Sequence, residues 1–306
     1  EAAFVSSTRQ LGPIDKVAEE WSASIVRDGS LPEDGFEINT SPALGDTCIK
    51  QIEEICKALR EQNAVATQSC GLHIHVDARD FRFADVKKLI NLYSAVEGPL
   101  FQMVAPRRRQ VRFAQPCGTW LKNGLKMGER PMRARAVEAA VVNKIYGSAQ
   151  ERERWRERKY HSTRYYAMNL HSWFLRGTVE FRLPPGTTKP ASIIGWALLF
   201  GALVDKSKRT SSSKIKTRVE AAEAGGYPAA KELLLGIAPT DEVREFVKQR
   251  WISYEDAGAG VGVPNEPAEN RNASARASWI ASIGAATAER YYGTVPPQEE
   301  TPDNER

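Results

Sequence analysis

The chain has 306 residues, of which 42% are hydrophobic and 26% are charged, which is enough for one or two domains with a sizeable core. No apolar run reaches the roughly 20 residues of a membrane-spanning helix, so we expect no membrane partner. The formal net charge of +5 favours an anionic partner such as a nucleotide, a phosphate or nucleic acid. Four scattered cysteines without a CxxC pair, and no visible secretory leader, are typical of a reduced cytoplasmic protein, and we expect that location.

The predicted elements alternate between helices and short strands. Apolar residues at helical spacing predict helices over 16–25, 46–62, 83–101, 133–160, 190–206 and, as one or two helices, 229–249. Alternating polar and apolar residues predict strands over 35–39, 71–77 and 178–183, and residues 106–126 resemble a basic loop. We expect one folded unit over 1–254, followed by a linker and a poorly ordered tail over 255–306, where Gly, Ala, Pro and Glu dominate.

The three predicted strands indicate an α+β protein rather than a doubly wound α/β protein. Each strand alternates polar and apolar residues, whereas parallel strands that are covered on both faces are apolar throughout. No strand is followed by a glycine-rich phosphate loop of the GxxxxGKS/T or GxGxxG kind. A half-covered, mostly antiparallel sheet with helices on one face fits this pattern better.

Ionisable residues occupy one face of each predicted strand. Because side chains on a strand point alternately to its two faces, His73 and His75 share a face while their apolar neighbours turn to the core. Glu180 and Arg182 share a face in the same way, and Glu37 lies between two apolar residues. If the strands form one sheet, a bound cation would relieve the repulsion between the gathered carboxylates.

Several functions are compatible with this polar face. The structural alternative is an exposed polar strand beside a salt bridge between Glu180 and Arg182. His73, His75 and Glu180 would suit a catalytic zinc ion in a hydrolase. Mg²⁺ or Mn²⁺ bound together with nucleotide phosphates would instead use the positive charge of nearby arginines, namely Arg107, Arg108, Arg109, Arg112, Arg164 and Arg182. A third possible function is nucleic-acid binding through the arginine-rich segments 107–112 and 151–164. The alternative for these segments is a solvated basic surface without a ligand.

Eight short motifs follow one another in order along the chain. They are Trp21, Asp28-Gly29-Ser30, Gly35-Phe36-Glu37-Ile38, Ser41-Pro42, Gly71-Leu72-His73-Ile74-His75, Arg164-Tyr165, Asn169-Leu170 and Thr178-Val179-Glu180-Phe181-Arg182. Each motif alone is weakly specific. As an ordered set covering roughly residues 10–250, they resemble the amidoligase family, which is similar to glutamine synthetase and to glutamate–cysteine ligase.

The resemblance implies a curved, mostly antiparallel sheet whose polar concave face binds metal and ATP, within a catalytic domain over residues 1–254. The metal ligands that it implies are Glu37, His73 and Glu180, with Glu1 as the remaining acid of a first acidic strand. The implied ATP contacts are His75 and Asn169, to which the basic loop adds Arg107 and Arg109. The implied catalytic residues are Arg182, which would stabilise the transferred phosphoryl group, and Arg164, which would contact substrate or nucleotide.

We therefore expect an ATP-dependent carboxylate–amine ligase that uses Mg²⁺ or Mn²⁺. A substrate carboxylate would take the γ-phosphoryl group to form an acyl phosphate, and an amine would attack it to give an amide, ADP and phosphate. Because an acyl phosphate hydrolyses readily, the loop over 106–126 would act as a lid that excludes water. The carboxylate and amine partners, whether small molecules, peptides or proteins, stay open at this point, as does the oligomeric state.

Overall fold

A computed structural model describes residues 2–4, 12–27, 31, 35–118, 121 and 133–255. In these ranges the α-helices are α1 (Gly12–Glu20), α2 (Gly45–Glu61), α3 (Phe83–Gln102), α4 (Ala134–Tyr146), α5 (Ala149–Trp155), α6 (His171–Arg176), α7 (Pro190–Arg209), α8 (Ser212–Ala224), α9 (Gly226–Ile237) and α10 (Asp241–Glu255). The strands are β1 (Ala2–Phe4), β2 (Ser24–Val26), β3 (Gly35–Asn39), β4 (Ala64–Val65), β5 (Ile74–Asp77), β6 (Met168–Asn169) and β7 (Thr178–Phe181). The predictions for Glu1, for parts of the 106–126 loop and for the tail after residue 255 lie outside the described residues.

Most predicted elements are present near their predicted positions, and β3 has the predicted bounds. The predicted helix over 133–160 is two helices, because Gly147 adopts a φ of 82° that glycine reaches without strain. Ser148 then starts α5, where its hydroxyl accepts a hydrogen bond from the Glu151 N–H. Two helices, α6 and α8, were not predicted from the sequence. The strands β1, β2, β4 and β6 were not predicted either, and they have only two or three residues each.

The described strands form two small antiparallel sheets. The first has the order β2-β3-β1-β4 and the second has the order β5-β7-β6. The α+β class and the antiparallel pairing are therefore confirmed, but the described strands do not form the single sheet that was expected. The reason is that β3 pairs with β2 and β1 while β7 pairs with β5 and β6, so both hydrogen-bonding edges of each central strand are used.

The main core lies against the apolar face of the second sheet. Val179, Phe181 and Leu183 are fully buried there, as the alternation of β7 predicts. Phe181 stacks on Phe200 of α7 with ring centroids 4.1 Å apart, and α3 packs beside α7 in the same cluster. Because this face is filled by helices, the ionisable side chains of β5 and β7 are left on the opposite face.

Helix–helix packing links the two sheets. Ile49 and Ile52 of α2 pack with Ile194 of α7 in a separate apolar cluster. Nearby, the Arg60 guanidinium donates a hydrogen bond of 2.7 Å to the Thr188 carbonyl. Among the described helices, none combines the length and the apolar character that crossing a bilayer requires.

Candidate functional site

The second sheet aligns three polar residues in one row. The antiparallel register places His75 opposite Glu180 on one side of β7 and Asn169 opposite Glu180 on the other side. Residues that are directly opposed on antiparallel strands share a face, so the predicted common face of His75 and Glu180 is confirmed. Arg182 follows Glu180 by two residues, and its backbone N–H donates to the Ala167 carbonyl at 2.8 Å.

Glu180 is the buried centre of this site, with 5% of its surface exposed. Arg182 Nη1 donates to Oε1 at 2.5 Å, and Asn169 Nδ2 donates to Oε2 at 2.6 Å. Burial alone would raise the pKa of Glu180, but the charge of Arg182, the two nearby histidines and the Asn169 hydrogen bond lower it to about 2. The carboxylate is therefore ionised at neutral pH, with both oxygens already accepting hydrogen bonds.

Two imidazoles flank the carboxylate. His73 Nδ1 and His75 Nε2 lie 3.7 Å and 3.8 Å from Oε1 of Glu180. Burial, followed by the charge of Arg182, lowers the pKa of His73 to about 3, and burial also lowers the pKa of His75. Both rings are therefore neutral at pH 7, and each keeps one nitrogen lone pair that can accept a proton or bind a cation.

Two hydroxyl groups fix the orientation of His75. Its Nδ1 is hydrogen-bonded to Thr178 Oγ1 at 2.9 Å and lies 3.3 Å from Ser172 Oγ. The two hydroxyls also bond to each other at 2.9 Å. Since Nδ1 is held in this way, Nε2 is the nitrogen that faces Glu180. Neither hydroxyl residue was predicted to be part of the site, although Thr178 is the first residue of β7 and belongs to the same motif as Glu180.

A second buried arginine, Arg108, lies beside the site; the sequence indicated it only as one of several arginines that could offset phosphate charge. Arg108 donates to the backbone carbonyls of Arg182, Leu183 and Pro184 at 2.8, 2.9 and 3.0 Å. Its guanidinium also fills the space above Gly71, where a Cβ atom would lie 2.9 Å from Nη2. Arg108 therefore fixes the position of the chain immediately after β7. The sequence contains no pattern from which these hydrogen bonds to backbone carbonyls could be predicted.

The other candidate arginines have different environments. Arg107 is exposed, whereas Arg109 donates through Nε to the Val104 carbonyl at 3.0 Å. The Arg164 guanidinium lies over the Tyr160 ring, with 4.7 Å between its carbon and the ring centroid. Its Nη1 is buried and has no hydrogen-bond partner in the described part of the chain. Of the two candidate catalytic arginines, Arg164 is thus the one whose guanidinium has a buried N–H donor, on Nη1, available for a ligand.

Glu37, a further candidate metal ligand, is not part of this row. Glu37 is half-buried on β3, in the first sheet, where its register partner is Val26 of β2. Glu1 lies outside the described residues. Glu37 was expected to lie near Glu180 only if their strands formed one sheet, but β3 and β7 belong to two different sheets.

His73, His75 and Glu180 have donor types that bind divalent cations, but they are not a complete metal site. Within the described ranges, no group of three or more His, Cys, Asp and Glu side chains is arranged to hold a metal ion. Arg182 and Asn169 compete for the Glu180 oxygens. The donors therefore fit a divalent cation only if other oxygen atoms join them, as nucleotide phosphates do in many Mg²⁺ sites.

Much of the positive charge in the 151–164 segment is neutralised locally. Arg152 lies 3.4 Å from Glu138, and Arg154 and Arg156 each lie 3.5 Å from a glutamate three residues earlier on the chain. The first pair joins α4 to α5, and the other two are exposed pairs three residues apart, which are of modest strength. These ion pairs leave less uncompensated positive charge for binding a nucleic-acid backbone than the number of arginines in the segment indicates.

Comparison with known proteins identifies the family. A family model described as "Putative amidoligase enzyme" matches residues 8–204, which is more than half of the chain and includes β5, β6 and β7. A search of curated proteins and a search of solved structures each found no match. The predicted resemblance is confirmed, and the activity that it indicates is that of a ligase-type enzyme. The chain belongs to the amidoligase family.

Proposed function

We propose that this protein is an ATP-dependent ligase that joins a carboxylate to an amine through an acyl-phosphate intermediate. The observation that carries the proposal is the buried ion pair of Glu180 and Arg182, with His73 and His75 beside it, within the region that matches the amidoligase family. Buried ionisable groups with shifted pKa values are typical of functional sites. The family provides the reaction class, and the cluster provides side chains suited to anionic reactants.

The charges of the cluster favour an anionic ligand. Two guanidinium groups, Arg182 and Arg108, accompany one carboxylate, Glu180, and both imidazoles are neutral, so one positive charge is in excess. Arg182 would stabilise the oxygens of the phosphoryl group as it transfers, a contribution of about 3 kcal/mol for one well-placed donor. Arg164, whose Nη1 has no partner among the described residues, would bind the substrate carboxylate or the nucleotide.

Mg²⁺ or Mn²⁺ is the metal that we propose, with His73 and Glu180 as ligands, Glu37 and Glu1 as further candidates, and the ATP phosphates completing the coordination. The metal would neutralise phosphate charge, which is its usual role in phosphoryl transfer. His75, Asn169, Arg107 and Arg109 remain the proposed ATP contacts. Of these, His75 and Asn169 lie next to Glu180.

Bond making and breaking would proceed in two steps. A carboxylate oxygen attacks the γ-phosphorus while the bond to ADP breaks, and the amine then attacks the carbonyl carbon and loses a proton. Inorganic phosphate leaves with one of the original carboxylate oxygens. Water must be excluded between these steps. We propose that the described part of the 106–126 segment helps to exclude water, because the Phe113 carbonyl accepts a hydrogen bond of 3.0 Å from Arg182 Nε.

The first test is calorimetric titration of the full chain with ATP, with Mn²⁺ or Mg²⁺ and without metal. We expect metal-dependent binding in the wild type and at least tenfold weaker binding in Glu180→Gln. Glu61→Gln is the matched control, because Glu61 is an exposed residue on α2 whose partner is Lys57. Far-UV circular dichroism would verify that both variants are folded.

A second test addresses the chemistry. Pairs of carboxylates and amines are screened for ADP release, and an active carboxylate is then labelled with ¹⁸O. Transfer of one ¹⁸O atom into inorganic phosphate is expected for an acyl phosphate. Binding of zinc without any binding of ATP, together with nucleotide-independent hydrolysis, would instead favour the zinc hydrolase that uses His73, His75 and Glu180.

A further inference from the structure

A buried glutamate on α3 anchors the segment formed by residues 113–118. Glu97 is 7% exposed. Its Oε1 accepts a hydrogen bond of 2.6 Å from the Cys117 backbone N–H, and its Oε2 accepts one of 2.7 Å from the Gly118 N–H. One carboxylate therefore binds two consecutive peptide groups, which fixes both the position and the direction of the chain at the end of this segment.

The same segment is also bound to the chain that leads into β6. The Gln115 N–H donates to the Tyr165 carbonyl at 2.8 Å, and the Gln115 carbonyl accepts from the Ala167 N–H at 2.7 Å. The fully buried Cys117 thiol donates to the Met168 carbonyl, with 3.7 Å between sulfur and oxygen. The segment therefore lies along the start of β6, the strand that neighbours β7 in the second sheet.

Arg182 is held by this arrangement through its side chain and its backbone. Its Nε donates to the Phe113 carbonyl at 3.0 Å, and its backbone N–H donates to the Ala167 carbonyl at 2.8 Å. Its Nη1 is bound to Glu180. Because a guanidinium group is planar, fixing Nε and Nη1 also fixes the direction in which Nη2 donates. The position of the 113–118 segment thus determines where Nη2 of Arg182 points.

The backbone between the two ends of the segment is stiff. Gln115 has an extended conformation with φ −65° and ψ 147°, and Pro116 follows it. Proline fixes its own φ near −65° and disfavours the helical conformation in the residue before it. A displacement of Cys117 is therefore transmitted to Phe113 rather than absorbed between them.

Stabilisation of the fold alone is the alternative role for Glu97. Burial raises the pKa of Glu97, and the hydrogen bonds from the Gly118 and Cys117 N–H groups oppose that shift, so an ionised carboxylate is costly at this place. Apolar packing could bury the segment without that cost, but hydrophobic contacts are non-directional. What the carboxylate adds is a defined orientation of the two peptide groups.

We propose that Glu97 is a positioning residue that orients the Arg182 guanidinium through the 113–118 segment. Glu97 itself does not contact the reactants. It keeps the donors of Arg182 within the narrow range of directions that a transferring phosphoryl group requires. This consequence for catalysis rests on the proposed ligase function, whereas the orientation of Arg182 does not.

The test compares the full wild-type chain with Glu97→Gln, whose side-chain amide has one acceptor oxygen in place of two. The matched control is Asp85→Asn, which removes another buried carboxylate, bound to the Arg82 N–H, about 18 Å away along α3. The first readout is the ¹H–¹⁵N resonance of Arg182 Nε, assigned by its absence in Arg182→Lys. We expect this resonance to shift in Glu97→Gln and to stay in place in Asp85→Asn.

Alkylation by iodoacetamide reports whether the change is local. Cys56, Cys70 and Cys117 are all buried, and peptide mass spectrometry measures the rate at each of them. Glu97→Gln should accelerate alkylation of Cys117 about fivefold, as expected for the loss of one hydrogen bond, and should leave the other two rates unchanged. Glu97→Asp, whose side chain is one methylene shorter, should give the same changes and is the second variant if Glu97→Gln does not fold.

Nucleotide binding tests the catalytic consequence separately. ADP with aluminium fluoride and Mg²⁺ mimics the transferring phosphoryl group, so its affinity should fall about tenfold in Glu97→Gln, while ATP affinity should change less than about threefold. Equal affinity of wild type and Glu97→Gln for the mimic would overturn that consequence. If the wild type binds neither nucleotide, the ligase proposal fails, and the Arg182 resonance still decides the role of Glu97.

Three outcomes would overturn the positioning role itself. They are an unchanged Arg182 resonance in Glu97→Gln, an equal shift of that resonance in Asp85→Asn, and equally accelerated alkylation of all three buried cysteines. The last result would show that Glu97 stabilises the whole fold rather than the 113–118 segment.

Discussion

Replacing Glu180 with glutamine removes the negative charge from the buried pair with Arg182 and keeps the size of the side chain. The pKa of Glu180 is about 2 in the folded protein, against an ordinary value of 4.5. At about 1.4 kcal/mol per pKa unit, that difference corresponds to about 3 kcal/mol of folding free energy at neutral pH. Breaking a buried ion pair by removing one partner costs about 3–5 kcal/mol in other proteins, so two independent arguments give the same magnitude.

The pH dependence has a defined sign. Because the folded pKa is depressed, this contribution is fully present above about pH 5 and is lost as the pH falls towards 2. At pH 3 about 2 kcal/mol of it should be lost. The free energy of unfolding of the wild type should therefore exceed that of Glu180→Gln by about 3 kcal/mol at pH 7 and by only about 1 kcal/mol at pH 3.

Urea unfolding of both proteins at the two pH values, with a chelator present, measures these differences directly. Other carboxylates affect both proteins equally, so they cancel in the comparison. Glu61→Gln, in an exposed pair with Lys57, should change the unfolding free energy by less than about 1 kcal/mol at either pH. A difference between wild type and Glu180→Gln that stays constant from pH 7 to pH 3 would refute the reasoning.

Two further predictions concern glycine conformation and the orientation of His75. Gly177 has a φ of 73°, and a Cβ atom there would overlap Arg79 Cγ. Gly177→Ala should therefore lower the free energy of unfolding, measured by thermal melts, by about 2 kcal/mol or more. Gly201 lies in the open middle of α7, so Gly201→Ala should instead raise the free energy of unfolding by up to about 1 kcal/mol. Thr178→Val should cost about 1 kcal/mol and shift the ¹⁵N resonance of His75 Nδ1, whereas Thr178→Ser should preserve both; an unchanged resonance in Thr178→Val would contradict the assigned hydrogen bond.

The polar face of the second sheet could be predicted from the sequence because strand periodicity is local. In β7 the residues Val179 and Phe181 alternate with Glu180 and Arg182, and the period of two fixes which side chains share a face. In β5 the same period of two predicts that His75 lies on the polar side. The antiparallel pairing of β5 with β7 places His75 opposite Glu180. Predicting that contact requires knowing which strands pair, in addition to the alternation within each strand.

Partner choice and backbone contacts could not be predicted in this way. Glu37 has the same local pattern as Glu180, but β3 pairs with β1 and β2, and no local signal distinguishes those partners from β7. Arg108 looks like one member of a solvated basic run, and only the fold reveals the three carbonyl groups that it binds. Asn169 lies on a strand of two residues, which is too short to show a period.

The two faces of β7 show why the cluster is better explained by function than by folding. On one face Val179 and Phe181 are fully buried against helices and stabilise the sheet by removing apolar surface from water. On the other face Glu180 and Arg182 are buried to nearly the same extent, although replacement of a buried ion pair by packed apolar residues is often neutral or stabilising. An apolar second face would therefore fold at least as well. The retention there of an ionised carboxylate, a guanidinium and two neutral imidazoles is accounted for if the site binds and activates anionic reactants.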